Sequence, residues 1–146
     1  MTLFATEALV TALAAEIATA LPELQVEPYP DFPGDYRLRH PLGAVLVSYL
    51  GAPSERPRLL GPSAEQVITF RLGLTLITRA LWGEQGAVAY LDRLRAALHG
   101  WRPPQCDPLY HVQESLAGKD AELWWHRAEW ACQSRLSSVQ RRQPCP

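Results

Sequence analysis

The amino-acid sequence predicts an α+β fold in which two helices pack on one face of a mostly antiparallel sheet. Two segments place apolar residues at steps of three and four, which is typical of one face of a helix. A third segment, residues 66–79, alternates apolar and polar side chains as a half-buried strand does, and Gly73 within it predicts a bend or bulge. Taken together, the predicted elements follow the order α-β-β-β-α-β-β.

The N-terminal part of the chain predicts a helix, a short strand and a rigid excursion. Apolar residues at helical spacing predict a helix over residues 6–21, and Pro22 ends it. Residues 24–27 follow as a short strand. The next segment, residues 28–41, holds four prolines and cannot sustain a helix or a central strand, so we expect an ordered, stiff loop there.

The middle of the chain predicts two further strands joined by a linker. Residues 43–49 form a near-continuous apolar run, which is typical of a central strand. The polar linker 51–62 carries Arg56 and Arg58 and leads into the long strand at residues 66–79. Because that strand is longer than usual, we expect its end to project beyond the sheet and reach a partner.

The C-terminal half predicts a helix and a hairpin. The helix covers residues 85–99, and Gly100 suits the left-handed conformation that ends many helices. Two strands, residues 109–116 and 122–133, flank a turn at residues 117–120.

The length of 146 residues predicts one domain, which we place at residues 1–133. Residues 134–146 are polar and basic, and we expect a C-terminal arm that is flexible or bound to a partner. The arm carries three arginines and no acidic residue: Arg135, Arg141 and Arg142.

Composition and charge exclude several classes of protein. Apolar residues make up 47% of the chain and charged residues 20%, which is a globular balance. The formal net charge of −1 gives no basic excess of the kind that binds nucleic acid. Glu7 and Glu16 interrupt the longest early apolar stretch, so we expect neither a signal peptide nor a membrane span, and hence a cytoplasmic protein.

Residues with catalytic potential are scattered. The nearest approach to a nucleophile set is Cys106, Asp107 and His111, but a cysteine enzyme needs the histidine beside the thiol in space, and such spacings arise by chance. Three cysteines without a CxxC spacing predict reduced thiols and no structural zinc. We therefore expect no enzyme, no catalytic residues, no cofactor and no metal.

Aromatic residues lie on both faces of the last predicted strand. Trp124 and Trp130 share one face, and Trp125 lies on the other. The helices of the domain cover one face only, so a second copy of the chain is a candidate to cover Trp125. Two alternatives remain open: Trp125 is singly exposed, or it lies under the proline-rich loop.

Several sequence blocks resemble, in order and spacing, a small protein family of Mu-like bacteriophages that is encoded between head and tail genes. The resemblance covers roughly residues 6–132, and none of its motifs is chemical. The blocks are PELQVEPYP at residues 22–30, DYRLRHP at 35–41, GAVLV at 43–47, GWRPP at 100–104 and PLY at 108–110.

This resemblance implies a tail terminator, or neck protein, of contractile-tailed phages and prophages. Such a protein forms a ring, expected to be a hexamer, that caps the tail tube and sheath and then receives the head–tail connector proteins. It encloses the DNA channel without other contact with nucleic acid, and it is a virion component assembled in the host cytoplasm. The alternatives are a head–tail connector or stopper protein, and then a small phage enzyme or nucleic-acid accessory protein.

Arginines and one tryptophan are the candidate interface residues. Arg37 and Arg39, on the stiff loop, are expected to pair with acidic groups on a neighbouring ring or tube subunit, although they could equally be solvated. The complete set is Arg37, Arg39, Arg56, Arg58, Trp125, Arg135, Arg141 and Arg142.

Overall fold

A computed structural model describes residues 5–31, 34, 36–120 and 122–139. Within these residues the chain forms two helices and six strands, and the predicted α+β class and element order are confirmed. The structure adds one short strand, β3, inside the predicted linker. The elements are α1 (Thr6–Ala20), β1 (Gln25–Pro28), β2 (Gly43–Gly51), β3 (Arg58–Leu60), β4 (Ser63–Thr78), α2 (Ala87–Leu98), β5 (Tyr110–Lys119) and β6 (Trp124–Val139).

The strands form one sheet in the order β1-β2-β4-β6-β5, and β3 pairs with β4 beyond the end of β2. Only β1 and β2 run parallel among the described pairs; the others are antiparallel. The prediction of a mostly antiparallel sheet is therefore confirmed.

Both helices pack on the same face of this sheet, as predicted. The buried stripe of α1 (Leu9, Leu13 and Ile17) and the buried side of α2 join one core with alternate residues of β2, β4 and β6. Burying a leucine side chain in such a core stabilises the fold by roughly 1.5–3 kcal/mol. The sheet residues of the core are Val45, Val47, Phe70, Leu72, Leu74, Leu76, Ala128, Trp130 and Cys132.

The proline-rich segment is the crossover between the two parallel strands. Parallel neighbours require the chain to return to the end of the sheet from which it started, so residues 29–42 connect β1 to β2. Arg79 anchors the end of this segment by donating hydrogen bonds to the carbonyl oxygens of His40 and Pro41. The side chains of Ala44 and Leu46 lie on the sheet face opposite the helices and are nevertheless buried.

Strands β4 and β6 pair without interruption. Ser63 is opposite Val139 at one end of the ladder, and Thr78 is opposite Trp124 at the other. The predicted end of the last strand at residue 133 is wrong, because residues 134–139 form the last part of β6. The apolar residues among them, Leu136 and Val139, give no alternating pattern, yet the backbone groups of this segment complete the ladder with β4. The domain boundary and the C-terminal arm, flexible or bound to a partner, stay predictions. Arg141 and Arg142 lie outside the described residues.

At Gly73 the backbone of β4 lies close to side chains of β2, and β4 itself has no bulge there. The register shift lies in the neighbouring β2, between Tyr49 and Gly51. A Cβ atom on Gly73 would lie 2.7 Å from Ser48 Oγ and 3.2 Å from the Leu50 methyl carbons. A side chain at this position would therefore collide with β2.

Neither helix in the described part of the chain has the length and apolar character needed to cross a membrane.

Candidate interaction surfaces

The paired ends of β4 and β6 extend past the core. We call this extension the β-arm: β3, residues 63–69 of β4 and residues 133–139 of β6. Ile68 is only partly buried against the core, and the fully buried residues of β4 begin at Phe70. At roughly 3.3 Å per residue, the β-arm is about 20 Å long.

The β-arm exposes large apolar side chains. Leu59 is 80% exposed, Leu60 51% and Leu136 42%. The strand register places Leu59 and Leu136 on one face of the β-arm and Leu60 on the other. A single exposed leucine is ordinary, but exposed leucines on both faces of one short sheet extension are suited to contact with another protein.

Three of the predicted interface arginines lie on or beside the β-arm. Arg135 Nε is 3.4 Å from Glu65 Oε1, and Arg135 Nη1 is 3.7 Å from Asp107 Oδ1. Arg56 and Arg58 are exposed and have no ion pair with any residue that the structure describes. Their charges are therefore available to a partner.

Two further arginines from the predicted interface set, Arg37 and Arg39, lie away from the β-arm, beside the outer edge strand β1. Arg37 and Arg39 line an open cavity of about 650 Å³, which Glu27 and Tyr36 also line. Burial, followed by the nearby carboxylate of Glu27, raises the pKa of Tyr36 to about 12. The structure thus does not bring Arg37 and Arg39 together with the arginines of the β-arm.

Trp125 lies at the end of the sheet remote from the β-arm. It is half-buried and pairs with Ile77 of β4. The carboxylate of Asp120 accepts backbone hydrogen bonds from Glu122 and Leu123 and a side-chain hydrogen bond from Trp125, and these contacts lower the pKa of Asp120. A contact between Trp125 and a second copy stays a prediction.

Sequence reasoning missed the most exposed tryptophan of the described chain. Trp82, in the loop between β4 and α2, is 73% exposed. A single aromatic residue in a loop has no periodicity, and the only signal was its place beside Gly83 and close to Gly86.

The candidate nucleophile residues take other partners. The thiol of Cys132 donates a hydrogen bond to Cys106, which lowers the pKa of Cys106 and raises that of Cys132. His111 Nε2 lies 3.0 Å from Glu114 Oε1, and its ring packs edge-on against Trp130. In the part of the chain that the structure describes, no three potential metal ligands cluster. Cys145 lies outside that part.

The fold defines an α+β protein with two helices on one face of a six-stranded sheet and a β-arm beyond the core. Residues 13–144 match the family model described as Gp37 protein, so this chain belongs to the Gp37 protein family. No curated protein matches it.

Among solved structures, the chain is similar to one in "Virion of native gene transfer agent (GTA) particle". The two are 15% identical, the match covers 92% of this chain and 100% of that chain, and the TM-score is 0.55. At this identity the likeness shows a shared fold.

Proposed function

We propose that this protein is a structural subunit of a phage-like virion and acts there as a tail terminator. Copies of the chain assemble into a ring, a hexamer, that caps the tail tube and sheath of a contractile tail and joins the tail to the head connector. Membership of the Gp37 protein family, the resemblance to proteins of Mu-like phages and the fold shared with a chain of a virion particle support this role.

The β-arm is the observation that carries the proposal. It exposes the side chains of Leu59, Leu60 and Leu136. Its two outer strands, β3 and residues 133–139 of β6, each pair with β4 alone among the described strands. Another subunit can therefore cover both these side chains and the outer strand edges. A head-to-tail ring closes when each subunit offers two different, complementary patches. An apolar extension at one end of the sheet is suited to be one of them.

The other predicted interface residues have roles in the same assembly. Arg37 and Arg39 pair with acidic groups on a neighbouring ring or tube subunit, and a second copy covers Trp125. Arg141 and Arg142, which lie outside the described residues, also contact a partner subunit. The ring encloses the DNA channel, and the formal net charge of −1 on each chain gives no basic excess that would bind DNA. None of these roles requires catalysis.

Interrupting the gene in its phage or prophage tests the proposal. Negative-stain images of the particles should show tails of uncontrolled length without heads, and the wild-type gene supplied in trans should restore joined particles. Tails of normal length that fail to join heads would indicate a connector or stopper protein instead. Normal, joined and infectious particles would contradict any role in the neck.

A further inference from the structure

The Trp82 loop, residues 79–86, is closed by backbone hydrogen bonds. The N–H of Ala87 donates to the carbonyl oxygen of Ala80 (3.0 Å), and the N–H of Gly86 donates to that of Gly83 (3.1 Å). A Cβ atom on Gly86 would lie 2.5 Å from the carbonyl oxygens of Leu81 and Trp82, so the loop closes tightly around this glycine. The loop therefore presents the exposed indole of Trp82 on a backbone that is already ordered.

An exposed tryptophan on an ordered backbone has the properties of an interface anchor. Tryptophan is enriched among the residues that contribute most to protein–protein binding. A fixed backbone also lowers the conformational entropy that is lost on binding. The indole of Trp82 is 73% exposed, so the described chain does not itself cover it.

The Trp82 loop and the β-arm lie at opposite ends of the same strand. Ser63 begins β4 next to the β-arm tip, and Thr78 ends it next to the Trp82 loop. For a 16-residue strand the separation is about 50 Å. One copy of the chain therefore cannot bring its own two surfaces together, whereas a second copy can.

Each surface has an exposed charge without an ion pair among the described residues, and the two charges are opposite. On the β-arm this charge is Arg58, which lies two residues before Leu60, and near the Trp82 indole it is Glu84. Arg79, the other charged residue of the Trp82 loop, donates hydrogen bonds to the carbonyl oxygens of His40 and Pro41. A guanidinium group can bind a carboxylate and also stack on an indole face.

We propose that the β-arm tip of one copy docks on the Trp82 loop of the next copy, with Leu60 against Trp82 and Arg58 paired with Glu84. Arg58 and Leu60 are two residues apart in β3, so their side chains lie on the same face of the sheet. This inference rests on the proposed ring, and it assigns the two unlike patches that a head-to-tail contact requires. A symmetric contact would instead join two β-arms and would leave Trp82 and Glu84 uncovered.

Reciprocal charge reversal tests this contact in particles. A phage with the gene interrupted is complemented with full-length Arg58→Glu, with Glu84→Arg and with both changes together. Each single reversal should lower the infectious yield roughly tenfold or more, because like charges then face each other in every contact. The double variant, which restores opposite charges, should recover most of the yield. Arg127→Glu, at an exposed position in the middle of β6, is the matched control and should assemble normally.

Normal yields from both single reversals, or a double variant no better than the singles, would overturn the contact and leave the ring function standing. Failure of the proposed function looks different: interrupting the gene would then leave tails and heads normally joined before any variant is tested.

Cross-linking in the assembled particle distinguishes the two geometries. In a Cys145→Ser background, Leu60→Cys combined with Glu84→Cys should give a reducible ladder of oligomers that ends at the closed ring. Each single cysteine should give no ladder. Dimers from Leu60→Cys alone would show that β-arms meet each other and would overturn the proposal.

Discussion

Arg71 and Glu129 form a two-point ion pair across β4 and β6, on the sheet face opposite the helices. Arg71 Nη2 lies 2.6 Å from Glu129 Oε1, and Arg71 Nε lies 3.4 Å from Glu129 Oε2. The glutamate is largely buried and the arginine side chain is half-exposed, so the pair brings a carboxylate onto a face where Leu46 and Ile77 are buried. The hydrogen bonds to charge replace the water that this carboxylate loses on folding.

Removing the charge of Glu129 should therefore destabilise the protein. Glu129→Gln is expected to lower the midpoint of urea unfolding, and Glu122→Gln, at an exposed position of the hairpin, is the control. Arg71→Gln should cost less in the Glu129→Gln background than in the wild type. Independent effects of the two substitutions would show that the ion pair does not contribute to stability.

The tight closure of the Trp82 loop makes Gly86 intolerant of a side chain. Gly86→Ala places a methyl group 2.5 Å from two backbone carbonyl oxygens, which cannot move without opening the loop. We expect a loss of about 1–3 kcal/mol in the free energy of unfolding. Gly118→Ala, where nothing lies within 4 Å of the new Cβ atom, is the control and should change stability little. Equal stabilities of the two variants would show that the loop is not closed as described.

Two tryptophans should behave in opposite ways. Trp130 is fully buried, and His111 packs edge-on against it with ring centres 5.0 Å apart. Trp130→Ala should lower the free energy of unfolding by about 3–5 kcal/mol. Trp82→Ala should change it by about 0.5 kcal/mol or less, since the indole is exposed. A large loss of stability in Trp82→Ala would mean that this residue belongs to the fold rather than to an interface.

His126 makes stability depend on pH. It is buried between Leu76 and Leu116 in the strand register, and burial lowers the pKa of His126 from 6.5, against a smaller opposing effect of Glu114. The unfolded chain has the higher pKa at this histidine, so it binds more protons than the folded chain once the pH falls below that pKa. The free energy of unfolding is therefore fully retained above the pKa of the unfolded chain and decreases as the pH falls through it.

Replacing the imidazole should remove this dependence. His126→Leu should show a smaller loss of stability than the wild type between about pH 7.5 and pH 5, measured by urea unfolding. A substitution of the exposed His99 is the control. If His126→Leu keeps the full pH slope of the wild type, other groups cause it.

Assembly should not depend on the thiol and imidazole that first suggested an enzyme. Cys106→Ser and His111→Gln keep polar contacts with Cys132 and Glu114, and each should complement an interrupted gene with a normal yield of infectious particles. Folded protein that assembles normally but fails to support infection would indicate a chemical role for these residues.

Periodicity predicted the elements that build the core, and it did not predict where the strands end. The alternation through Phe70, Leu72 and Leu74 located β4, because each of these side chains packs under the helices. Residues 134–139 carry no such alternation, and only the backbone ladder with β4 makes them strand. Strand β3 is three residues long, too short for any pattern.

Surfaces were harder to predict than the core. The sequence named Arg37 and Arg58 as equivalent candidates, but the crossover between β1 and β2 places Arg37 beside the edge strand and Arg58 on the β-arm. Trp82 was missed because exposure depends on the closure of a loop, and that closure depends on backbone contacts at Gly86 that leave no periodic trace.

The central claim is that the apolar strand surface of the β-arm is completed by another copy of the same chain. Electron cryomicroscopy of the neck in intact particles tests it most directly. The account predicts a closed ring of this protein at the end of the tail, with Leu59 and Leu60 of each copy covered by the next copy. A neck without this protein, or a ring in which these leucines face solvent, would contradict it.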